Sequence, residues 1–495
     1  MNIFKITLTL ISFLYLTAAS AQTFSAKVID ELSGEPIPYV TIETGPNQGI
    51  ITNEEGEFSF LLEQIRKPQD SIYISYMGYE TKGILFDAQE DIEIPLTPKI
   101  YELKEVFLTT EVLEVDEIVE RVKDNLDKNY ASILTKKKIF YRQSDIGKMK
   151  KMDLGFKKST IEELNKKLLD SITRLLPKKS SYYKEVVADL YGDYNNYKLN
   201  INKAAELYDK NNDISAEGIG KKLEGIFNEN IKKDSYLKIK SGVFSTKMQV
   251  DSIIQENEEA KAALEKKKKD GDANFQEQIS DQISNLYEQL FFQEDSKIDV
   301  LEKSSRYKFI LDNYTVINGM TVYILQFTPK GGKEFKGTMY VNTQDFAIVR
   351  LDFENVKPLS KFGLLGITYR NDIYKGKMLF DKDENGSYSP RFIELLDGSY
   401  MGLNRPLKVI EKNKNVKGRR KQNELSLKLD IQGNQLQKYE LVVFESEKIT
   451  QPSYDQIEVK KVIKATYLSQ YDPTFWQGYS IMEPNAAIES FKVVD

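Results

Sequence analysis

The sequence predicts a multidomain, β-rich chain. An N-terminal all-β sandwich is followed by an α+β body with a helical insertion and a curved antiparallel C-terminal sheet. Three observations lead there. Residues 24–108 alternate apolar and polar positions between closely spaced turn residues, the period of half-buried strands. Residues 252–293 are charge-dense and rich in helix formers. From Tyr307 onward, β-branched and aromatic runs alternate with Asn-Gly and Gly-Gly turns, as in an antiparallel meander.

In the first segment, strands are expected at Val28, at Val40–Ile42 and at Ile72–Ser75. Asp30 with Ser33-Gly34 makes one turn and Glu54-Glu55-Gly56 another. Pro36 and Pro38 hold an extended edge segment and deny donors to a neighbouring strand. These residues, with the Gly34–Pro38 run, Val40, Gly49, Thr52, Phe58, Ser75, Gly78-Tyr79, Ile94-Pro95-Leu96 and Leu103–Val106, resemble the carboxypeptidase-like regulatory domain of Bacteroidota envelope proteins. The resemblance implies a transthyretin-like (prealbumin-like) sandwich that is itself non-catalytic and sits beside something else.

Four segments follow: an export signal over residues 1–21, the sandwich over 22–108, a mixed, helix-rich middle region over 109–300, and an antiparallel sheet domain with an aromatic tail over 301–495. Lys5, the apolar stretch Ile6–Ala18 and the small residues Ala19-Ser20-Ala21 before Gln22 make the signal pattern. That stretch is too short for a stable membrane span, and a buried N-terminal helix is the alternative reading. No cysteine follows it, so lipid attachment is not expected. The expected location is periplasmic and peripheral, at the inner face of the outer membrane.

The chain has 495 residues with no histidine and no cysteine. This removes the imidazole base, Ser-His-Asp catalysis, thiolate nucleophiles and the common zinc sites. The regulatory domain has therefore travelled without a zinc peptidase. Carboxylate-only, Ser-Lys and Tyr chemistry remain. A formal net charge of -5 with interspersed Lys and Glu argues against nucleic acid as a partner.

Beyond the sandwich, Val112, Val115, Ile118, Val119, Val122 and Leu126 recur at helical spacing. Lys138–Arg142 reads as a strand. Ser159 or Thr160, with Glu162 and Glu163, reads as the capped start of a helix ending near Pro177. A helical hairpin is expected over 252–293, interrupted at Gly271, with a partly exposed insertion as the alternative. Strands are then expected at 307–311, 320–327, 335–341, 347–353, 367–380, 391–396, 407–412, 425–431 and 439–444. The run Phe335–Asn342 followed by Asp345–Arg350 resembles the repeat of lipoprotein-carrier half-barrels, which implies a hydrophobic concavity. The tail from Tyr471 to Asn485 resembles the end of many Bacteroidota chains that carry the same regulatory domain.

Several motifs are tested against plainer readings. Asp381–Gly386 begins like a calcium loop, but Phe392 stands where the twelfth-position Glu belongs, so a polar hairpin turn fits better. Ser181–Lys184 and Ser305–Lys308 match S-x-x-K without companion motifs. Gly363-Leu364-Leu365-Gly366 lacks the Lys and strand-to-helix context of a phosphate loop. No catalytic residue, cofactor or metal is assigned. Trp476, Phe475 and Tyr479 are candidate interface residues, with a clamp onto their own domain as the alternative. Arg419, Arg420 and Lys421 are a candidate lipid-phosphate or acidic-partner contact, with a solvated hairpin tip as the alternative.

The expected function is a non-enzymatic structural or adaptor subunit associated with an outer-membrane β-barrel complex, of the barrel-assembly or TonB-dependent uptake kind. The alternative is a lipid or lipoprotein carrier with a half-barrel cavity. An enzyme working through carboxylates alone ranks third.

Overall fold

The computed structural model describes residues 23–45, 48–61, 71–85, 92–99, 113–269, 271–317, 319–383, 386–418, 420–459 and 463–493. The export-signal pattern, Leu103–Val106, Val112 and Arg419 lie outside them. The N-terminal module comprises β1 (Thr23–Asp30), β2 (Thr41–Gly45), β3 (Gln48–Ile51), β4 (Glu57–Leu61), β5 (Ser71–Ser75), β6 (Lys82–Leu85) and β7 (Ile92–Leu96). One layer has the order β4-β1-β7, and the other runs β3-β2-β5-β6. Val28, Phe58, Ile94, Ile42 and Ile74 are buried in a shared core. The expected turns are present. Asp30 Oδ1 accepts from the Leu32 and Ser33 amides, and Gly34 and Gly56 adopt φ of 72° and 75°.

The body begins with α1 (Val115–Asp124) and α2 (Leu126–Asn129), then β8 (Thr135–Ser159), α3 (Lys166–Leu175), β9 (Lys179–Gly192) and β10 (Tyr197–Tyr208). Next come α4 (Lys210–Asn230), β11 (Tyr236–Ser241), β12 (Phe244–Gln249), α5 (Val250–Lys269) and α6 (Gly271–Glu288). The meander follows as β13 (Tyr307–Ile317), β14 (Met320–Pro329), β15 (Phe335–Asn342), β16 (Ile348–Asn355), β17 (Lys361–Leu364) and β18 (Ile367–Lys382). It continues through β19 (Tyr388–Lys412) and β20 (Lys421–Lys448). The tail carries α7 (Gln451–Asp455), β21 (Thr466–Leu468) and α8 (Ala486–Glu489).

Strand pairings run β21-β10-β9-β8-β20-β19-β18-β16-β15-β14-β13. Side branches attach β17, β11 with β12, and the module through a Glu445–Gln48 pair. No pairing among the described residues joins β13 back to β21 or β10. The sheet therefore curls without closing. It also crosses the boundary drawn at residue 300, since β8 pairs with β20 along nearly its whole length. Residues 135–208 and 307–448 thus share one sheet.

Three local expectations are corrected. Helix α3 starts later than the Ser159–Glu163 box, capped by Asn165, whose Oδ1 accepts from the Leu168 amide at 3.1 Å. Ser159 is instead the last residue of β8, and its hydroxyl bonds the Ile161 carbonyl. Segments 391–396 and 407–412 belong to one 25-residue strand, and 425–431 and 439–444 to one of 28 residues. Pro406 fits inside β19 because β18 pairing stops at Leu403 and β11 pairing starts at Lys408, so no ladder needs its missing N–H there.

The second helix of the 252–293 hairpin is core. Phe275, Ile279, Ile283 and Leu286 recur at helical spacing and lie buried on the concave face against Tyr141, Leu190 and Leu441. Strand tyrosines fix it: Tyr141 donates to Gln282 Oε1 at 2.9 Å and Tyr374 to Gln289 Oε1 at 2.8 Å. Helix α1 buries Ile118, Val119 and Val122 in the same cluster. The concavity that a half-barrel carrier would use is thus filled by side chains.

Gly337 shows how tight this packing is. A Cβ there would lie 2.0 Å from the Asp352 carbonyl oxygen and 2.7 Å from Phe327 Cζ. Gly337→Val is expected to lower stability by about 3 kcal/mol through overpacking, measured as a shift in the urea midpoint at constant slope.

Candidate functional site

Central strands of the sheet are buried on both faces. On β8, Ile139 and Tyr141 join the concave core, while Phe140 and Arg142 point to the outer face. On β20, Leu441 and Val443 face inward, while Lys438, Glu440, Val442 and Phe444 face outward. The N-terminal module and the C-terminal tail cover that outer face. Its charged side chains are therefore sealed between layers and must satisfy one another.

Two linked cation centres result. Lys438 Nζ contacts Glu440 Oε1 at 2.7 Å, Glu54 Oε1 at 2.8 Å and Glu394 Oε2 at 3.0 Å. Burial opposes the charge of Lys438, but the three carboxylates outweigh it and hold its pKa well above the usual lysine value. Tyr39 of the module donates to Glu394 Oε2 at 2.7 Å and stacks on Phe392 at 5.4 Å. It does so from a φ of 60°, a strained position for a tyrosine. Burial first, and Glu394 second, push its phenol pKa far up.

Arg142 is the second centre. Its Nε donates to Glu185 Oε1 at 2.7 Å, and its Nη2 donates to the Met482 carbonyl at 2.7 Å. Its Nη1 reaches the Glu483 carbonyl at 3.1 Å and faces Glu440 Oε2 at 3.9 Å. Burial opposes the charge, and Glu185 and Glu440 more than offset it. Glu440 thus joins the two centres. The module meets the tail directly as well. Asn53 Nδ2 donates to the Pro484 carbonyl at 2.8 Å, and Ser59 hydrogen-bonds Glu483.

A third contact explains Gly49. The buried Arg391 guanidinium crosses β3 there, and a Cβ at Gly49 would lie 2.4 Å from its Nη2. Beside the Lys438 centre an open cleft of about 570 Å³ separates the module from the outer face of β14–β19. Its walls carry Tyr39, Glu54 and Glu394 on one side and the Lys336–Glu354 pair (2.8 Å) on the other.

The six residues singled out from sequence do not form one surface. Trp476 is 3% exposed, and its Nε1 donates to Glu185 Oε2 at 3.0 Å, so it is an internal clamp and not an interface anchor. Phe475 and Tyr479 are half-buried, with Lys203 Nζ over their rings at 4.4 and 5.1 Å. Arg420 is exposed and Lys421 pairs with Glu424 at the opposite end of β20, while Arg419 is outside the described residues. Ser181 and Lys184 sit three apart on a strand, hence on opposite faces. Asp381 faces Arg391 at 3.5 Å and Asp383 Oδ1 accepts from the Ser387 amide, as in a hairpin turn. Among the described residues no group of three or more His, Cys, Asp or Glu is placed to hold a metal.

Sequence reasoning missed Arg142, Glu185, Glu394, Lys438 and Glu440. A signal existed in Leu441-Val442-Val443-Phe444, a continuous apolar run of the kind found in strands buried on both faces.

The fold and site define a two-layer β module seated on the outer face of a curved antiparallel sheet. Residues 24–108 match the family model of the CarboxypepD_reg-like domain, and the module is such a domain. No curated protein matches the chain. Two solved structures are similar at 6% identity. The crystal structure of MucB in complex with MucA(peri) covers 64% of this chain and 93% of that one, with a TM-score of 0.17. The complex structure of Pseudomonas aeruginosa MucA/MucB covers 68% and 99%, with a TM-score of 0.15. Scores this low carry no argument about fold or function.

Lys438→Met strands two buried carboxylates, Glu394 and Glu440, and is expected to cost about 3–5 kcal/mol, while adding Glu394→Gln and Glu440→Gln recovers much of it, measured by chemical denaturation. Glu54 adds a pH dependence. Burial raises its pKa, but Lys438 dominates and leaves it below the ordinary 4.5. Its contribution is therefore full above about pH 4.5 and fades as pH falls through the lowered folded value. Glu483, raised chiefly by burial, has the opposite sign: its contribution is full below about 4.5 and fades as pH rises through the raised value. Glu54→Gln is expected to flatten the acid limb of a stability–pH curve.

Proposed function

We propose that this chain is a non-enzymatic structural or adaptor subunit at the periplasmic face of the outer membrane, docking onto a β-barrel complex made by other chains. The observation that carries the reading is the use of the CarboxypepD_reg-like module. It is held to the sheet and tail by the Lys438 and Arg142 centres as one structural unit. The carboxylates gathered there are engaged by Lys438, Arg142, Tyr39 and Trp476. That arrangement suits holding surfaces in fixed relation better than turning over a substrate. The signal pattern of residues 1–21 supports the location. Among the described residues no helix is long and apolar enough to cross a membrane. The carrier alternative loses support from the filled concave face.

A tagged pull-down from gently solubilised native envelopes tests the reading. Stoichiometric recovery of an outer-membrane barrel is expected by mass spectrometry. Recovery of the chain alone, in the soluble periplasmic fraction, would contradict it.

A further inference from the structure

The long strands β8, β19 and β20 run past the two-sided core, and the β17–β18 hairpin continues the sheet at their side. Cross-strand register puts Phe362, Tyr369 and Met401 in one row across β17, β18 and β19, and Leu364, Ile367, Leu403 and Ile431 in another that extends to β20. Directly opposite residues share a face. The result is an apolar strip that ends at the hairpin tip. Much of it is open: Phe362 is 50% exposed, Leu364 55%, Leu365 50%, Ile367 40% and Met401 64%.

The turn itself is unusual. Leu365 has φ 50° and Gly366 has φ 82°, so both central residues are left-handed. Turns of that kind favour Asn-Gly, and a leucine there is strained. Leu365 is thus unfavourable twice, by backbone conformation and by exposure. A polar Asn would relieve both. Such an outlier points to a use for the side chain.

Charge indicates what that use is. Lys361 and Arg370 pair across the base of the hairpin, and the register carries their row on to Tyr400, Asn434 and Lys148. Arg370 and Lys150 lie over the Tyr400 ring at 4.7 and 5.5 Å, and Arg370 also meets Asp372 at 3.2 Å. From Leu365 back to Lys361 is four residues of strand, roughly 13 Å at full extension. Tilted, this matches an apolar tip sunk about 5–10 Å into the acyl boundary while long cationic side chains reach the phosphates.

We propose that the β17–β18 hairpin tip inserts into a lipid surface bearing anionic headgroups, with Phe362, Leu364 and Leu365 entering the apolar layer and Lys361 and Arg370 contacting phosphate. The inference does not depend on the adaptor reading. A chain that binds vesicles but recovers no barrel would leave it standing, and a chain that recovers a barrel but ignores vesicles would overturn it alone.

Flotation of the full chain with vesicles of phosphatidylethanolamine and phosphatidylglycerol tests it, against vesicles of phosphatidylcholine. The chain is expected to float with the anionic vesicles, and less so at high salt. Leu365→Asn is expected to weaken binding while leaving the unfolding temperature unchanged or raised, which separates a lost contact from a damaged fold. The double variant Phe362→Ser/Leu364→Ser is expected to weaken it about tenfold or more. Lys361→Gln/Arg370→Gln should reduce binding to the anionic vesicles only. No flotation of the unaltered chain, or flotation of Leu365→Asn and the double variant equal to that of the unaltered chain, would overturn the proposal. So would a dimer in solution that the apolar substitutions abolish while vesicle binding is absent.

Discussion

The structure depends on one constraint: the central strands of the sheet are covered on both faces, and one face is charged. Hydrophobic burial arranges the concave side, where α1 and α6 fill the curl. The outer side could not be covered by the same means, because Arg142, Glu185, Lys438 and Glu440 project from it. Withdrawing these groups from water costs several kcal/mol per ion unless each finds partners. The partners come from the module, through Tyr39 and Glu54, and from the tail, through Trp476 and the carbonyls of Met482 and Glu483. The charges therefore specify where the covering layers sit. A hydrophobic outer face would bind them as tightly with less regard to register.

That logic also decides what was legible in the sequence. The module's turns and strands were readable because Asp30, Gly34 and Gly56 act locally, and Gly49 belonged to the same pattern before its reason, the crossing Arg391, was visible. Helix α1 followed from period alone, and the 252–293 hairpin from its helix-forming composition, while the buried stripe Phe275, Ile279 and Ile283 of α6 did not. The buried charges were not readable. An alternation such as Lys438-Tyr439-Glu440-Leu441 looks like a strand with one wet face, and only tertiary covering turns the wet face dry. Strand lengths failed for a related reason. Asp397, Gly398 and Gly402 look like a break, yet β20 pairs with them throughout and holds β19 continuous.

The same accounting separates the two ends of the molecule. At the module end the charged outer face of the central strands is covered, and Trp476 serves there as an internal donor. At the other end the sheet continues beyond its helices, and its apolar strip reaches solvent at Phe362, Leu364 and Leu365. The open end carries the left-handed Leu365, with Lys361 and Arg370 on the other face of the same hairpin.

The central claim is that module, sheet and tail form one cooperative body through the outer-face network. Differential scanning calorimetry of the full chain tests this most directly. The expected result is a single transition whose calorimetric and van't Hoff enthalpies agree. Two separated transitions, with the module melting before the sheet, would contradict it.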